Sequence, residues 1–207
     1  MLRQPNNQPS LSPLPKMNSG QALRKEGKCV IPKNVSALIY KNDFMIILGI
    51  DPGTATTGYG IIDYEKSKFN VLDYGCILTK KDLDLADRIY LIADELGKII
   101  KKFHPRIMAV EEIFYFKNAK TVISVSQARG AILLTGKKRR LTVFEFTPLQ
   151  VKQAVVGYGK ADKRQVQAMV KAILKLKKIP RPDDAADALA IAICAASNLK
   201  FKSMIEP

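Results

Sequence analysis

Tryptophan is absent from this 207-residue chain, histidine occurs once and cysteine three times. The lone His104 follows a helical pattern and reads as a surface or helix-end residue, which leaves His-based nucleophilic catalysis little to work with. Cys29, Cys76 and Cys194 are scattered, odd in number and without metal-ligand spacing. They suit a reducing compartment, with Cys76 and Cys194 as packing residues. No apolar run is long enough to span a bilayer, and no signal-peptide pattern is expected at the start. Acidic residues are in deficit, 19 against 34 Lys and Arg, for a formal net charge of +15. That imbalance suits a polyanionic partner, either nucleic acid or an acidic membrane surface.

What is present divides unevenly along the chain. Residues 1–44 hold five of the eleven prolines and seven basic against two acidic residues. Such a stretch buries little and is expected to be a disordered basic extension; its prolines make a poor amphipathic transit helix. Met45 directly precedes the first strong strand, so the functional chain is expected to begin there, with the rest an extension or a start-site artefact. Residues 45–200 are expected to form one domain and residues 201–207 a short tail.

From Met45 the periodicities are clear. "MIILGI" is a continuous apolar strand of the kind covered on both faces. "YGIIDY" and "NVLDYGCIL" follow as strands around the polar turn "EKSK". Leu85, Ile89, Ile92, Leu96, Ile99 and Phe103 recur at spacings of four and three, one face of a helix about five turns long. The strand "RIMAVEEIF" has an aliphatic part that stops at Glu111. A helix ending at Gly136, the strand "LTVFEF", and helices over "PLQVKQAVV", "DKRQVQAMVKAILKLKK" and "DDAADALAIAICAAS" complete the chain. Three consecutive strands followed by alternating helices and strands argue an α/β fold, a mixed five-stranded sheet flanked by helices.

Acidic residues interrupt this apolar pattern in three places. Asp51 ends the first strand in "IILGIDPGTATTGYGII", where Asp is disfavoured and costly to bury. Asp-Pro-Gly is also an ordinary exit from a strand, so turn chemistry competes as an explanation. Glu111 and Glu112 end the fourth strand, and successive strand residues point to opposite faces. Asp183 after Pro182 suits an N-cap and Asp184 the helix dipole. Capping does not account for Asp187, an acid within "AADALAIAI". Either Asp183 or Asp184 shares a helix face with Asp187. If the first and fourth strands are neighbours, about 4.8 Å apart, the acids converge at one end of the sheet. Crowded carboxylates need a cation, and hard oxygen ligands without His or Cys call for Mg²⁺ or Mn²⁺. Two such ions roughly 3.5–4 Å apart support phosphodiester cleavage, and the positive chain makes a nucleic-acid backbone the natural substrate.

Four stretches, "ILGIDPGTATTGYGII", "AVEEIFYFKNAKTVISVSQARGAILL", "VKQAVVGYGKADKRQVQAMV" and "PDDAADALAIAI", resemble the RuvC family of Holliday-junction resolvases, in the family's order. The resemblance implies a ribonuclease H-like fold, a homodimer, and Mg²⁺-dependent symmetrical nicking of four-way DNA junctions in a bacterial cytoplasm. It also implies work beside the branch-migration proteins RuvA and RuvB, and no membrane role. Carried over, the catalytic acids and metal ligands are Asp51, Glu111, Asp184 and Asp187. Glu112 stands where the family has an uncharged polar residue and should face away from the metal; Asp183 is left as the cap. Lys152 and Lys163 match basic positions near the active site, and Lys163 sits at a helix N-terminus that favours phosphate.

Phe114, within the aromatic "FYF", matches a position at the junction crossover, where aromatics stack on unpaired bases, with Lys117 and Asn118 beside it. Arg129 is a further DNA-contact candidate, with dimer packing as its other reading. "KKRR" (Lys137–Arg140) reads as a solvated loop. The small residues behind Asp51 are expected to admit the second strand and the DNA backbone. Another ribonuclease H-like nuclease is the nearer alternative. The more distant one is an actin-like ATPase or sugar kinase, whose phosphate loop D-x-G-x-x-x-T-G also matches Asp51–Gly58. No second such loop is evident, and the region after residue 44 lacks room for two large lobes.

Overall fold

The computed structural model describes residues 44–113 and 119–205. Phe114, Lys117, Asn118 and nearly all of the proline-rich extension lie outside the described residues. Five strands form one sheet: β1 (Phe44–Asp51), β2 (Thr56–Glu65), β3 (Lys68–Leu78), β4 (Ile107–Glu111) and β5 (Thr142–Phe146), in the order β3-β2-β1-β4-β5. The first three are antiparallel neighbours, and β1, β4 and β5 run parallel. Lys66 and Ser67, both at positive φ, make the two-residue turn between β2 and β3, a backbone geometry that matches the twist of paired strands.

Five helices follow: α1 (Leu85–Phe103), α2 (Ala119–Lys138), α3 (Pro148–Val156), α4 (Lys163–Ile173) and α5 (Asp183–Ile205). The apolar stripe read from the sequence is the buried face of α1, with Ile92, Leu96 and Ile100 inside. Asp84 caps its start by accepting from the Asp87 N–H, and His104, left-handed and exposed, closes its end. With Ala128 and Ile132 of α2, this face covers Leu48, Ile50, Met108 and Val110. The opposite face of β1 and β2 carries α5, whose residues from Ala185 to Ala196 are almost wholly buried. The long apolar stretch of this helix has to be enclosed, and α3 and α4 pack against it as well.

Two helix ends differ from the sequence-based expectation, for physical reasons. Gly136 does not stop α2, which continues to Lys138. A Cβ at Gly136 would lie 2.3 Å from the Met108 Cε, so that glycine serves close packing against β4. The helix closes instead with Arg140 at positive φ, its N–H bonded to the Lys137 carbonyl and that of Leu141 to the Gly136 carbonyl. Lys137 and Lys138 therefore belong to a helical turn, not to a loop. Likewise α4 stops at Ile173, short of "KLKK", because Lys175 adopts φ 53° and Leu176 N–H reaches back to the Lys171 carbonyl. Burial of Leu174 holds that ending in place. Among the described residues no helix is long and apolar enough to cross a membrane.

Candidate active site

The parallel pairing of β1 with β4 sets Ile50 beside Val110, so Asp51 and Glu111 end adjacent strands. In this register Gly49 and Ala109 are partners, and Asp51 and Glu111 fall on the same face of the sheet two residues on. That face is the one α5 crosses: a Cβ on Gly49 would lie 2.1 Å from the Ala188 carbonyl oxygen. Gly58, the β2 partner of Asp51, meets α5 one turn earlier, with the Asp184 carbonyl oxygen 2.1 Å from a notional Cβ. The small residues around Asp51 thus admit a helix. Besides the pairing of β2 with β1, the group they let in is α5, which brings Asp184 and Asp187 to the strand ends.

The loop behind Asp51 is held from two sides. Thr57 Oγ1 donates to the Gly53 carbonyl at 2.6 Å, and Thr79 Oγ1 to the Thr54 carbonyl at 2.6 Å. Thr79 N–H also bonds the Ala55 carbonyl, and Arg88 of α1 donates from Nε to Thr79 Oγ1 at 2.8 Å. Sequence reasoning missed Thr79 and Arg88. Neither interrupts a local pattern, and their role exists only because α1 packs beside the end of β3.

The electrostatics are those of crowded, half-desolvated acids. Burial, then the charges of Glu111, Asp187 and Asp184, pushes the Asp51 carboxyl from 3.8 up to about 8, against some relief from Lys163. Glu111 is raised to about 7 by burial and Asp187, opposed by Lys152 and Lys163. Burial also raises Asp187, while Lys163 opposes the shift. Lys163 is the first residue of α4, fixed by a capping box between Asp162 and Gln165. Its Nζ lies 3.0 Å from Asp187 Oδ2 and 3.6 Å from Asp183 Oδ2. Burial works against that ammonium, but its bond to Asp187 and the surrounding carboxylates raise its pKa overall. Asp183 begins α5 and is engaged by Lys163 and Arg181. Glu112 is not among the charges acting on Asp51 or Glu111. Lys152 lies on α3, capped by Thr147 and Gln150.

Among the described residues no three carboxylates close into a ready-made cation cage, and one Asp187 oxygen is taken by Lys163. The donor set nevertheless fits a hard divalent cation. It offers carboxylate oxygens without imidazole, and burial with mutual repulsion raises the pKa of Asp51 and Glu111, a strain that a bound positive charge would relieve. Cys76, opposite Gly58 on β3, lies near Asp184 and Asp51. Burial and Asp184 push its thiol up to about 11, so at neutral pH it is a protonated packing group and a poor ligand for such an ion.

A pH prediction follows from Asp51. Between 3.8 and about 8 the folded, ion-free protein keeps a proton that the unfolded chain has released. Its contribution to stability is therefore full below the lower value and lost as pH rises through the upper one. The thermal midpoint in chelator is expected to fall from about pH 6 to about pH 8.5, and Asp51→Asn to flatten that fall. A variant with an unchanged slope would exclude Asp51 as its source.

The strand order, with three antiparallel strands leading into two parallel ones and a buried helix across the central pair, defines a ribonuclease H-like fold. The family model described as crossover junction endodeoxyribonuclease RuvC matches residues 47–195. The chain belongs to the RuvC family. The crossover junction endodeoxyribonuclease RuvC of Fusobacterium nucleatum is 56% identical over 158 residues, 76% of this chain and 83% of that protein. That of Finegoldia magna is 54% identical over 162 residues, 78% of this chain and 99% of that protein. A solved Thermus thermophilus RuvC in complex with Holliday junction substrate superposes with a TM-score of 0.73 at 34% identity, covering 77% of this chain and 97% of that one.

Proposed function

We propose that this chain is a metal-dependent, structure-selective endodeoxyribonuclease that resolves Holliday junctions by paired symmetrical nicks during recombination and repair. The observation that carries the reading is the meeting of Asp51 and Glu111, on adjacent strand ends, with Asp184 and Asp187 of α5. This happens in a chain matched to the RuvC family along 47–195. The solved relative bound to a Holliday junction supports the choice of substrate.

Asp51, Glu111, Asp184 and Asp187 would hold two Mg²⁺, for which Mn²⁺ substitutes. When bound, such ions lower the pKa of a water and neutralise charge on the departing oxygen. Asp51 and Glu111 give up their protons to bind, and their placement on rigid strand ends fixes the ligand directions. Lys163 releases Asp187 and turns to the scissile phosphate, to which the N-terminus of α4 adds its own N–H groups. Lys152, close enough to act on Glu111, holds a second phosphate oxygen. In-line hydrolysis leaves a 5′-phosphate and a 3′-hydroxyl.

The partners are a four-way DNA junction, a second copy of the chain, and RuvA and RuvB, in a bacterial cytoplasm. A homodimer would place two sites across a two-fold junction. Ile123 and Leu134, exposed on α2 and about three turns apart, supply apolar surface for such contacts. Phe114, Lys117 and Asn118 complete the proposed DNA contacts. The nuclease domain is proposed to span 45–200, with residues 1–44 a basic extension and 201–207 a tail.

Synthetic four-way and linear duplexes, incubated with and without Mg²⁺, test this. Symmetrical nicks confined to the four-way substrate and requiring the ion are expected. Equal nicking of linear duplex would instead indicate a general ribonuclease H-like nuclease. Lys152→Ala is expected to weaken junction binding and to reduce the slope of log affinity against log salt by about 0.9, one phosphate contact. Unchanged slope and rate would remove Lys152 from the site.

A further inference from the structure

Arg129 lies on α2, beside residues that face the core. Ala128 before it and Ile132 after it are buried against α1, and its own side chain is only 18% exposed. Its guanidinium spans two strands. Nε donates to the Glu111 backbone carbonyl at 3.1 Å, and Nη2 pairs with the Glu145 carboxylate on β5. Glu145 stands in register with Val110, the residue before Glu111.

The β1–β4 ladder ends at Ile50 and Val110, so Glu111, still paired with Phe146 of β5, lies just past the part of β4 that pairs with β1. On the other side, the Glu112 N–H bonds the Phe146 carbonyl at 2.7 Å. The segment that carries Glu111 is thus tied by β5 on one edge and by Arg129 on the other. Without the arginine, a terminal strand residue whose side chain has to point at an ion would be anchored on one edge only.

We propose that Arg129 is a positioning residue for Glu111, setting the direction of that carboxylate through its backbone, rather than a contact to DNA phosphate. This rests on the resolvase reading and deepens it. A guanidinium mostly out of solvent, with Nε on a carbonyl and Nη2 on a carboxylate, is committed inward. Lysine cannot reproduce two divergent donors from one planar group, so charge alone does not replace it.

The test compares Arg129→Ala, Arg129→Lys and Glu145→Gln with the wild-type full chain. Junction affinity and its salt slope are measured in Ca²⁺, and single-turnover cleavage in Mg²⁺. Binding of Mn²⁺ alone is followed by its electron-spin resonance signal. Expected for Arg129→Ala is an affinity within twofold of wild type, an unchanged salt slope, and cleavage slowed about tenfold or more, as for a misplaced catalytic group. Mn²⁺ should bind more weakly, and Arg129→Lys should not restore the rate. Glu145→Gln, a milder change, should shift rate and Mn²⁺ binding in the same direction, and decides the matter if Arg129→Ala does not fold.

A lower salt slope with an unchanged rate for bound junction, restored by lysine, would overturn the proposal in favour of a phosphate contact. Unchanged rate and Mn²⁺ binding in all three variants would overturn it outright. A wild-type protein that cuts no junction would instead sink the reading on which it rests.

Discussion

Asp51→Asn is expected to slow junction cleavage about a thousandfold or more, ~4 kcal/mol of transition-state stabilisation, while junction binding persists. The substitution keeps the volume and most hydrogen-bonding capacity of the side chain and removes only its charge. That charge stands at the end of a strand whose Ile47, Leu48 and Ile50 are completely buried, so the strand cannot shift to bring another ligand into its place. Gel-shift binding and single-turnover cleavage, measured on the same preparation, separate the two effects. Near-normal cutting with Mg²⁺ would show that the ion is held without Asp51. The ion-free variant should also melt higher than wild type above neutral pH, since the burial that pushes Asp51 up to about 8 then acts on a neutral amide.

Gly58→Ala is expected to have the second-largest effect, through packing alone. The added methyl would lie 2.1 Å from the Asp184 carbonyl oxygen and 2.5 Å from its carbon. Both are helix backbone, so no side-chain rotation relieves the overlap, and α5 has to lift from β2. Overpacking of this kind costs about 1–3 kcal/mol, and shifting Asp184 and Asp187 by about 1 Å should slow cleavage about a hundredfold. Gly130→Ala is the internal contrast. An added Cβ there meets nothing within 4 Å, and on helix α2 it should stabilise by about 1 kcal/mol. Thermal unfolding of both variants checks the pair. If Gly58→Ala unfolds and cuts like wild type, α5 is not held by that contact.

The elements legible in advance were those with long, regular patterns. The apolar run before Asp51 could only be a central strand, and the stripe from Leu85 to Phe103 could only be a helix against it. The acids were conspicuous because each broke such a pattern. Helix endings were read less well, because glycine has two uses. At Gly136 it makes room for Met108, and the left-handed closing residues are Arg140 and Lys175, whose types announce no stop. The place of Cys76 beside the acids depends on a β2–β3 register set across the hairpin, which no local pattern announces.

From local chemistry alone came the alternation of strands and helices, the positive charge suited to a polyanion, and a short set of acids that burial would not tolerate without a cation. These are legible because periodicity and charge are written residue by residue. Tertiary structure decided that β4 lies beside β1, that glycines admit α5 to Asp51, that Lys163 meets Asp187, and that Arg129 turns inward to the Glu111 carbonyl. Those facts join residues tens of positions apart. Each depends on which surfaces the packed sheet leaves within reach, and no local pattern carries that information.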